Sequence, residues 1–213
     1  MPFRDVAVVS CHVECPLDDA IWRRFSALQR RFPVAALMRP PHPGEDRELW
    51  LERAREAAAR GPLGHHPHWT SPTHARPSGG DPAGRVREEA AWLRENGLHP
   101  TLFCGGGWYI DEDVRAAVSE LGYVDCTPRG RPPFVEGRYR ALPTTHSLGA
   151  LARGVLGPLP TYVHAYCHDY DLLDAKRRLA LLAALAVLRR RRRGTDLDAL
   201  AQELPSADER GGG

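Results

Sequence analysis

The sequence lacks several features that would place it in a broad functional class. It has no apolar run long enough to cross a membrane, and its N-terminus lacks the charged, apolar and cleavage segments of a secretory signal. The formal net charge is only +2, and most of the basic excess lies in residues 189–193, which we interpret as a solvated helix end. We therefore expect a cytoplasmic protein that acts on a small molecule, with no membrane or nucleic-acid partner.

The spacing of the cysteines shows no paired motif. The five cysteines form no Cys-x-x-Cys pair, and their number is odd. These are Cys11, Cys15, Cys104, Cys126 and Cys167. Neither the number nor the expected compartment favours a disulfide framework. Four of the five fall in apolar runs or at their ends, where a free cysteine most often serves as a small core residue.

Short apolar runs alternate with helical periodicity along most of the chain. The predicted strands span 6–10, 34–38, 63–69, 100–104, 123–126, 139–144 and 161–166. The predicted helices comprise one that Asp18 or Asp19 caps, followed by 45–60, 85–96, 111–121, 147–157, 174–192 and 196–204. This alternation predicts an α/β fold with a parallel sheet and outer helices, either a barrel or an open doubly wound sheet. We expect one domain over 1–205 and a disordered tail over 206–213.

Histidine is concentrated in one segment. Residues 64–74 hold four of the ten histidines between two helical patterns. In an extended segment, alternate side chains share a face, so His66 and His68 point one way and His65 the other. A solvated, proline-rich loop is the alternative interpretation. Because imidazole binds transition metals and transfers protons near neutral pH, the segment is a candidate for a metal site.

Polar side chains also follow the other predicted strands. The strand ends carry His12 and Glu14; His66, His68 and Trp69; a glycine-rich turn with Trp108 and Tyr109; Asp125 and Thr127; His146; and His164, His168 and Asp169. In parallel α/β folds, active sites lie at the carboxyl ends of the strands. These residues are therefore expected to form one site.

Chemical roles follow from the residue types. His66, His68 and a carboxylate would hold a divalent metal, with zinc preferred, and leave positions open for water. Glu14 is the best candidate for the carboxylate, and His12 is an alternative. Such an ion activates water and polarises a carbonyl. His164 is the expected general acid for a leaving group.

Aromatic residues near these ends provide flat apolar faces. Trp69, Trp108 and Tyr109 are candidate substrate contacts, since such faces suit sugar rings and other ring-shaped ligands. Core packing is the alternative for each tryptophan. His168 and Asp169 complete the predicted substrate-binding set, and Asp169 is also a candidate to orient His164 or His168.

The order of these segments resembles that of the polysaccharide deacetylase superfamily (NodB-homology, carbohydrate esterase 4-like). The resemblance runs from about 6 to 171. It rests on Ser-Cys-His-Val-Glu at 10–14, Gly-His-His-Pro-His at 64–68, Leu-Phe-Cys-Gly-Gly-Gly-Trp-Tyr at 102–109, Leu-Gly-Tyr-Val-Asp at 121–125 and Tyr-Val-His-Ala-Tyr at 162–166. It implies a distorted (β/α)7 barrel and metal-assisted removal of acetyl groups from N-acetylated sugars.

Several positions depart from the family pattern. The usual pair of aspartates after the first strand, a base and a metal ligand, reads His12 and Val13 here. Cys104 stands where the family has an arginine, and only His164 remains of the late Leu-x-His motif.

The metal histidines of the family lie four residues apart. Here the match is His66 with His68, or His68 with the more distant His74. The expected function is a divergent, metal-assisted hydrolase that cleaves the C–N bond of an N-acetyl amide in a sugar-containing small molecule. The alternatives are an inactive member that binds a carbohydrate or related ligand, and a metal-independent acid/base hydrolase of the same fold.

Overall fold

A computed structural model describes residues 3–205, and the predicted tail at 206–213 lies outside them. The strands are β1 (Val6–Val13), β2 (Val34–Met38), β3 (Leu63–His65), β4 (Leu102–Phe103), β5 (Val124–Asp125), β6 (Phe134–Glu136), β7 (Tyr139–Ala141), β8 (His146–Ser147), β9 (Tyr162–His168) and β10 (Arg193–Gly194). The α-helices are α1 (Asp19–Gln29), α2 (Arg47–Ala58), α3 (Pro82–Glu95), α4 (Glu112–Glu120), α5 (Leu148–Gly154), α6 (Ala175–Arg191) and α7 (Leu197–Gln202). Short 3-10 helices cover Gly106–Trp108 and Asp169–Leu172.

The strands form one curled sheet with helices outside. Its order is β6-β7-β5-β4-β3-β2-β1-β9-β8, and β10 pairs with β1 off this path. Every pairing is parallel except that of β6 with β7. Over the described residues the path ends at β6 and β8, so the sheet is an open half-barrel. The predicted α/β class and distorted, barrel-like sheet are confirmed.

The central strands are longer than the sequence predicts. β1 continues to Val13 and β9 to His168, because the two strands pair in register from Val6 opposite Tyr162 to His12 opposite His168. β3 is shorter than predicted and ends at His65. The short strands β6, β8 and β10 were not predicted at all.

Both faces of the sheet are buried, which explains the continuous apolar run in β1. One face of β1, including Val9 and Cys11, packs against a cluster that contains residues of α1, α2, α5 and α6. The other face, with Val6 and Val8, joins an inner cluster that includes Leu200 of α7. Helix α7 packs near the amino ends of β1 and β9, whereas His12 and His168 lie at the carboxyl ends of those strands.

The structure also tests the predictions made for the cysteines and for the arginine run at 189–193. All five cysteines are free, and only Cys15 is not fully buried. The arginine run lies at the end of α6, as predicted, and also ties down a loop: Arg191 donates to the carbonyl of Gly157 at 2.8 Å and Arg192 to that of Leu159 at 2.7 Å. No helix within 3–205 combines the length and apolarity that a bilayer span requires.

Gly64 allows β3 to fit tightly between its neighbours. A Cβ at this position would lie 2.3 Å from Leu37 Cδ2 and 3.1 Å from Leu102 Cβ. We expect Gly64→Ala to lower the free energy of unfolding by about 1–3 kcal/mol in urea denaturation, because overpacking forces neighbours to shift. The control is Gly149→Ala in α5, where a Cβ meets nothing within 4 Å. Its stability should be unchanged or slightly raised, and equal losses in both variants would contradict the argument.

Candidate metal centre

The carboxylate of Glu14 lies where three imidazoles converge. Its Oε1 is 3.8 Å from His66 Nε2, 3.6 Å from His68 Nε2 and 3.7 Å from His168 Nε2. These distances exceed those of hydrogen bonds. Two ligands that each lie about 2 Å from one tetrahedral zinc ion are about 3.3 Å apart. The side chains therefore stand close to the spacing of ligands that share an ion.

Three strand ends bring these residues together. Glu14 follows β1 directly, and His168 is the last residue of β9. His66 and His68 leave the sheet after β3, and the backbone N–H of His66 donates to the Met38 carbonyl at 3.0 Å. The predicted sharing of one face by His66 and His68 is thus observed, although the strand has already ended.

The outer nitrogens of two histidines are fixed by backbone carbonyls. His66 Nδ1 lies 2.6 Å from the Cys104 carbonyl oxygen, and His68 Nδ1 lies 2.8 Å from that of Pro72. A carbonyl oxygen only accepts, so each Nδ1 carries the hydrogen and each Nε2 presents its lone pair. Within 3–205 both Nε2 atoms are buried and lack a hydrogen-bond partner.

That donor set fits a divalent cation. A buried acceptor without a partner is costly, and a metal ion would satisfy both Nε2 atoms at once. Groups of potential ligand atoms within 4.8 Å of one another include Glu14 with His66 and His68, and Glu14 with His12 and His168. Across the described residues a third group joins His12, His66 and Cys104, so Glu14, His12 and His66 each belong to two of the three groups, and Glu14 is the only carboxylate among them.

The protonation states also suit a cation. Burial would raise the pKa of Glu14, but the adjacent imidazoles of His66 and His68 and the charge of His168 hold it well below its usual range. Burial lowers the pKa of His66, although Glu14 opposes this effect, and burial together with the neighbouring His66 lowers the pKa of His12. At neutral pH the carboxylate is ionised and these two imidazoles are neutral, as metal binding requires.

His12 lies beside the convergence point. Its ring centroid is 4.6 Å from that of His66 and 5.2 Å from that of His168. Its Nε2 is 3.8 Å from the sulfur of Cys104. Thus two positions that depart from the family pattern, His12 and Cys104, contact each other next to the candidate ligands.

The structure does not bring His164 into this cluster. His164 is fully buried, with Nε2 2.9 Å from the Ser10 hydroxyl and Nδ1 3.0 Å from the Leu142 carbonyl oxygen. It precedes His168, the last residue of β9, by four positions. Both ring nitrogens are therefore engaged inside the sheet, below the polar edge.

Asp169 lies near the cluster but has a different set of partners from the predicted one. Its Oδ2 accepts from the Cys15 N–H at 2.8 Å and its Oδ1 from the Tyr170 N–H at 2.9 Å, so it joins the end of β1 to the end of β9. The carboxylate nearest His168 Nδ1 is instead that of Asp171, at 3.7 Å. Asp171 was not among the predicted site residues, although the His-Asp-Tyr-Asp run places a second acid three residues after His168.

The two tryptophans have different surroundings. Trp69 is buried in a hydrophobic cluster with residues of α3 and α4, which matches its core-packing alternative, and Tyr109 packs against it at 5.8 Å between centroids. Trp108 is half-buried, and its ring lies 5.2 Å from that of His12 and 4.9 Å from that of Tyr166. Trp108 and Tyr166 form an aromatic wall beside the cluster. Tyr166 was not among the predicted site residues.

The glycine-rich turn provides close backbone approach. A Cβ at Gly106 would lie 2.3 Å from the Pro67 carbonyl oxygen, and the N–H of Gly106 donates to that oxygen at 3.1 Å. Gly107 adopts a positive φ of 60°, which glycine tolerates best. The turn therefore fixes the segment that carries His66 and His68.

His65 points to the opposite face, as predicted. Its Nε2 is 2.8 Å from Glu89 Oε2, and Glu89 also binds Arg85 at 2.7 Å. Arg85 in turn donates to the Trp69 carbonyl. Helix α3 thus anchors the histidine segment at both of its ends.

Comparison with known proteins bears on the fold. No family model matches the chain, and no curated protein matches it. A wild-type CE4 family pseudoenzyme from Bacillus anthracis has a TM-score of 0.62 at 9% identity, covering 97% of this chain and 68% of that chain. A family 4 carbohydrate esterase from Bacillus anthracis has a TM-score of 0.59 at 14% identity, covering 95% of this chain and 84% of that chain.

A third similar structure has a different activity. The 4-alpha-glucanotransferase from Thermococcus litoralis has a TM-score of 0.58 at 11% identity, covering 93% of this chain but 38% of that chain. At such identities the likeness concerns the fold, because one fold hosts unrelated functions. The resemblance to the polysaccharide deacetylase superfamily is confirmed at that level.

Burial of His164 makes folding stability depend on pH. Burial lowers the pKa of His164 from 6.5 to about 4, so the unfolded chain binds a proton that the folded chain does not. Protonation of the unfolded chain therefore lowers the free energy of unfolding as the pH falls from 6.5 to about 4, by up to roughly 3 kcal/mol. In chelator-treated protein, urea unfolding of His164→Gln should show a smaller loss of stability on acidification than the parent. Exposed His74→Gln is the control, and an unchanged dependence in His164→Gln would refute the assignment.

Proposed function

We propose that the protein is a divergent, metal-assisted hydrolase that cleaves the C–N bond of an N-acetyl amide in a sugar-containing small molecule. One observation carries the proposal: the Nε2 atoms of His66 and His68 are buried, lack a partner within 3–205, and converge on Glu14. The fold of the CE4 family structures, which include a carbohydrate esterase, supports the same chemistry.

Glu14, His66 and His68 are the residues that would hold the ion, with zinc preferred by its affinity for imidazole and carboxylate. When bound, it would supply Lewis-acid activation of a water molecule and an amide carbonyl. His168 stands within reach of the same carboxylate oxygen as a further ligand or proton donor.

Proton transfer falls to the remaining histidines. His12 is neutral and lies beside the candidate ligands, so it can accept a proton from the attacking water. His168 is half-buried at the edge of the site and can give a proton to the leaving amine. We assign that step to His168 because both nitrogens of His164 are engaged by Ser10 and Leu142.

Substrate contacts follow from the aromatic wall. The half-buried rings of Trp108 and Tyr166 border His12 and offer apolar faces on which a sugar ring can stack. Trp69 and Tyr109 lie further back and support the histidine segment and the glycine-rich turn.

A second candidate function is ligand binding without turnover. Its support is the replacement of the paired family aspartates by His12 and Val13, together with the pseudoenzyme among the similar structures. A metal-independent hydrolase that uses His12 and Glu14 as acid and base is the third. Metal content and turnover separate all three.

The test compares three histidines of one segment. We expect about one divalent ion per chain by elemental analysis, and His66→Ala and His68→Ala should each lower metal content and abolish turnover of N-acetylated amino sugars. The matched control is His74→Ala, an exposed histidine that should change neither quantity. Circular dichroism should show that all three variants remain folded.

Each other result favours an alternative. Metal without turnover supports the ligand-binding candidate, and turnover in protein that takes up no metal supports the metal-independent hydrolase. Retained metal and activity in both His66→Ala and His68→Ala would reject the proposed centre.

A further inference from the structure

A cavity of about 560 Å³ opens between the ends of β8 and β9 and helices α5 and α6. This volume lies within the range of small-molecule sites. Tyr166 and His168 line the cavity, and both also border the candidate metal centre. The cavity therefore borders the proposed site of reaction.

The wall of this cavity carries an excess of positive charge. Arg153 comes from α5, and Lys176 and Arg177 come from α6, whereas Asp171 is the one carboxylate that lines it. Asp171 is already engaged, because it pairs with Arg177 at 2.9 Å and accepts from the His168 N–H at 3.2 Å. Across 3–205, Arg153 and Lys176 have no carboxylate within ion-pair distance.

The location of these cations is unusual for a helix. Lys176 and Arg177 occupy the first turn of α6, where the positive end of the helix dipole disfavours a cation. Asp174 offsets part of this cost by capping the helix, since its Oδ1 accepts from the Arg177 N–H at 2.8 Å. An anion in the cavity would offset more of it. Lys176 is also the only lysine in the chain.

We infer that this cavity binds an oxyanion of the substrate, a carboxylate or phosphate, through Arg153 and Lys176. Guanidinium and ammonium groups recognise such groups by charge-assisted hydrogen bonds. The inference rests on the proposed function for the reacting end of the ligand and narrows the substrate class to acidic N-acetylated sugars. The rest of the wall includes the apolar side chains of Ala152, Ala180 and Leu181, which would suit a compact apolar edge of the ligand.

Because Lys176 is the only lysine, chemical modification of its amine can be measured without interference from other side chains. Reductive methylation with formaldehyde and a borane reductant, both small and neutral, is quantified at Lys176 by peptide mapping, which separates the lysine from the N-terminal amine. Inorganic phosphate, N-acetylglucosamine 6-phosphate or N-acetylmuramic acid should slow methylation of Lys176, whereas neutral N-acetylglucosamine should not. The phosphate and carboxylate sugars show which oxyanion the cavity prefers.

A matched pair of arginines provides the control. Arg153→Gln should raise the concentration of acidic sugar needed for half-protection by about tenfold, as the loss of one charge-assisted hydrogen bond predicts. Arg190→Gln removes an exposed arginine from the far end of α6 and should leave protection unchanged. Equal effects of the two variants would overturn the assignment.

The outcomes separate this inference from the proposed function. Protection of Lys176 by the acidic probes in protein without metal or turnover would support the anion site and count against the hydrolase. Absence of protection by all three acidic probes, or equal protection by the neutral sugar, would overturn the anion site even if the protein hydrolyses neutral N-acetylated sugars.

Discussion

The parallel pairing of β1 with β9 is the interaction on which the site depends. It joins segments that lie about 150 residues apart in sequence, in an unbroken register that ends with His12 opposite His168. Loop-closure entropy grows only slowly with such a separation, and burial of both faces of β1 offsets it. Glu14 then projects just beyond this pair, towards the histidines that follow β3. This pairing brings the Glu14 carboxylate close to His168.

The position of a residue along β9 explains why His168 reaches the site and the predicted general acid His164 does not. Alternation along a strand puts His164 and His168 on one face of β9, because they are four positions apart. Alternation does not reveal where the strand ends. The apolar pattern predicts an end at 166, whereas pairing with β1 carries β9 to His168. His164 consequently lies inside the sheet, against Ser10, and His168 takes the edge position.

Local chemistry identified the histidine segment, but not what holds it. The spacing of His66 and His68 was sufficient to predict their common direction. Their carbonyl partners come from Cys104 and Pro72, at positions that no spacing rule selects. The same limit applies to the cavity between α5 and α6, because helix packing and not sequence periodicity brings Arg153 towards Lys176. Partners that no spacing rule selects, whether near in sequence like Pro72 or distant like Cys104, are therefore the features that required the structure.

The departures from the pattern of the family that the sequence resembles bear on the charge of the site. With His12 and Val13 in place of paired aspartates, Glu14 is the only carboxylate among the four side chains that converge at 3.6–3.8 Å. A divalent cation bound to one carboxylate and neutral imidazoles keeps a net positive charge. Beside it, the cavity wall adds Arg153 and Lys176, which have no carboxylate partner among the described residues. Asp171 is the one carboxylate in the cavity wall, so the excess of cations there would attract ligands of negative charge. The absence of the aspartate pair and the basic cavity thus favour the same proposed class of acidic ligand, although they arise in separate parts of the chain.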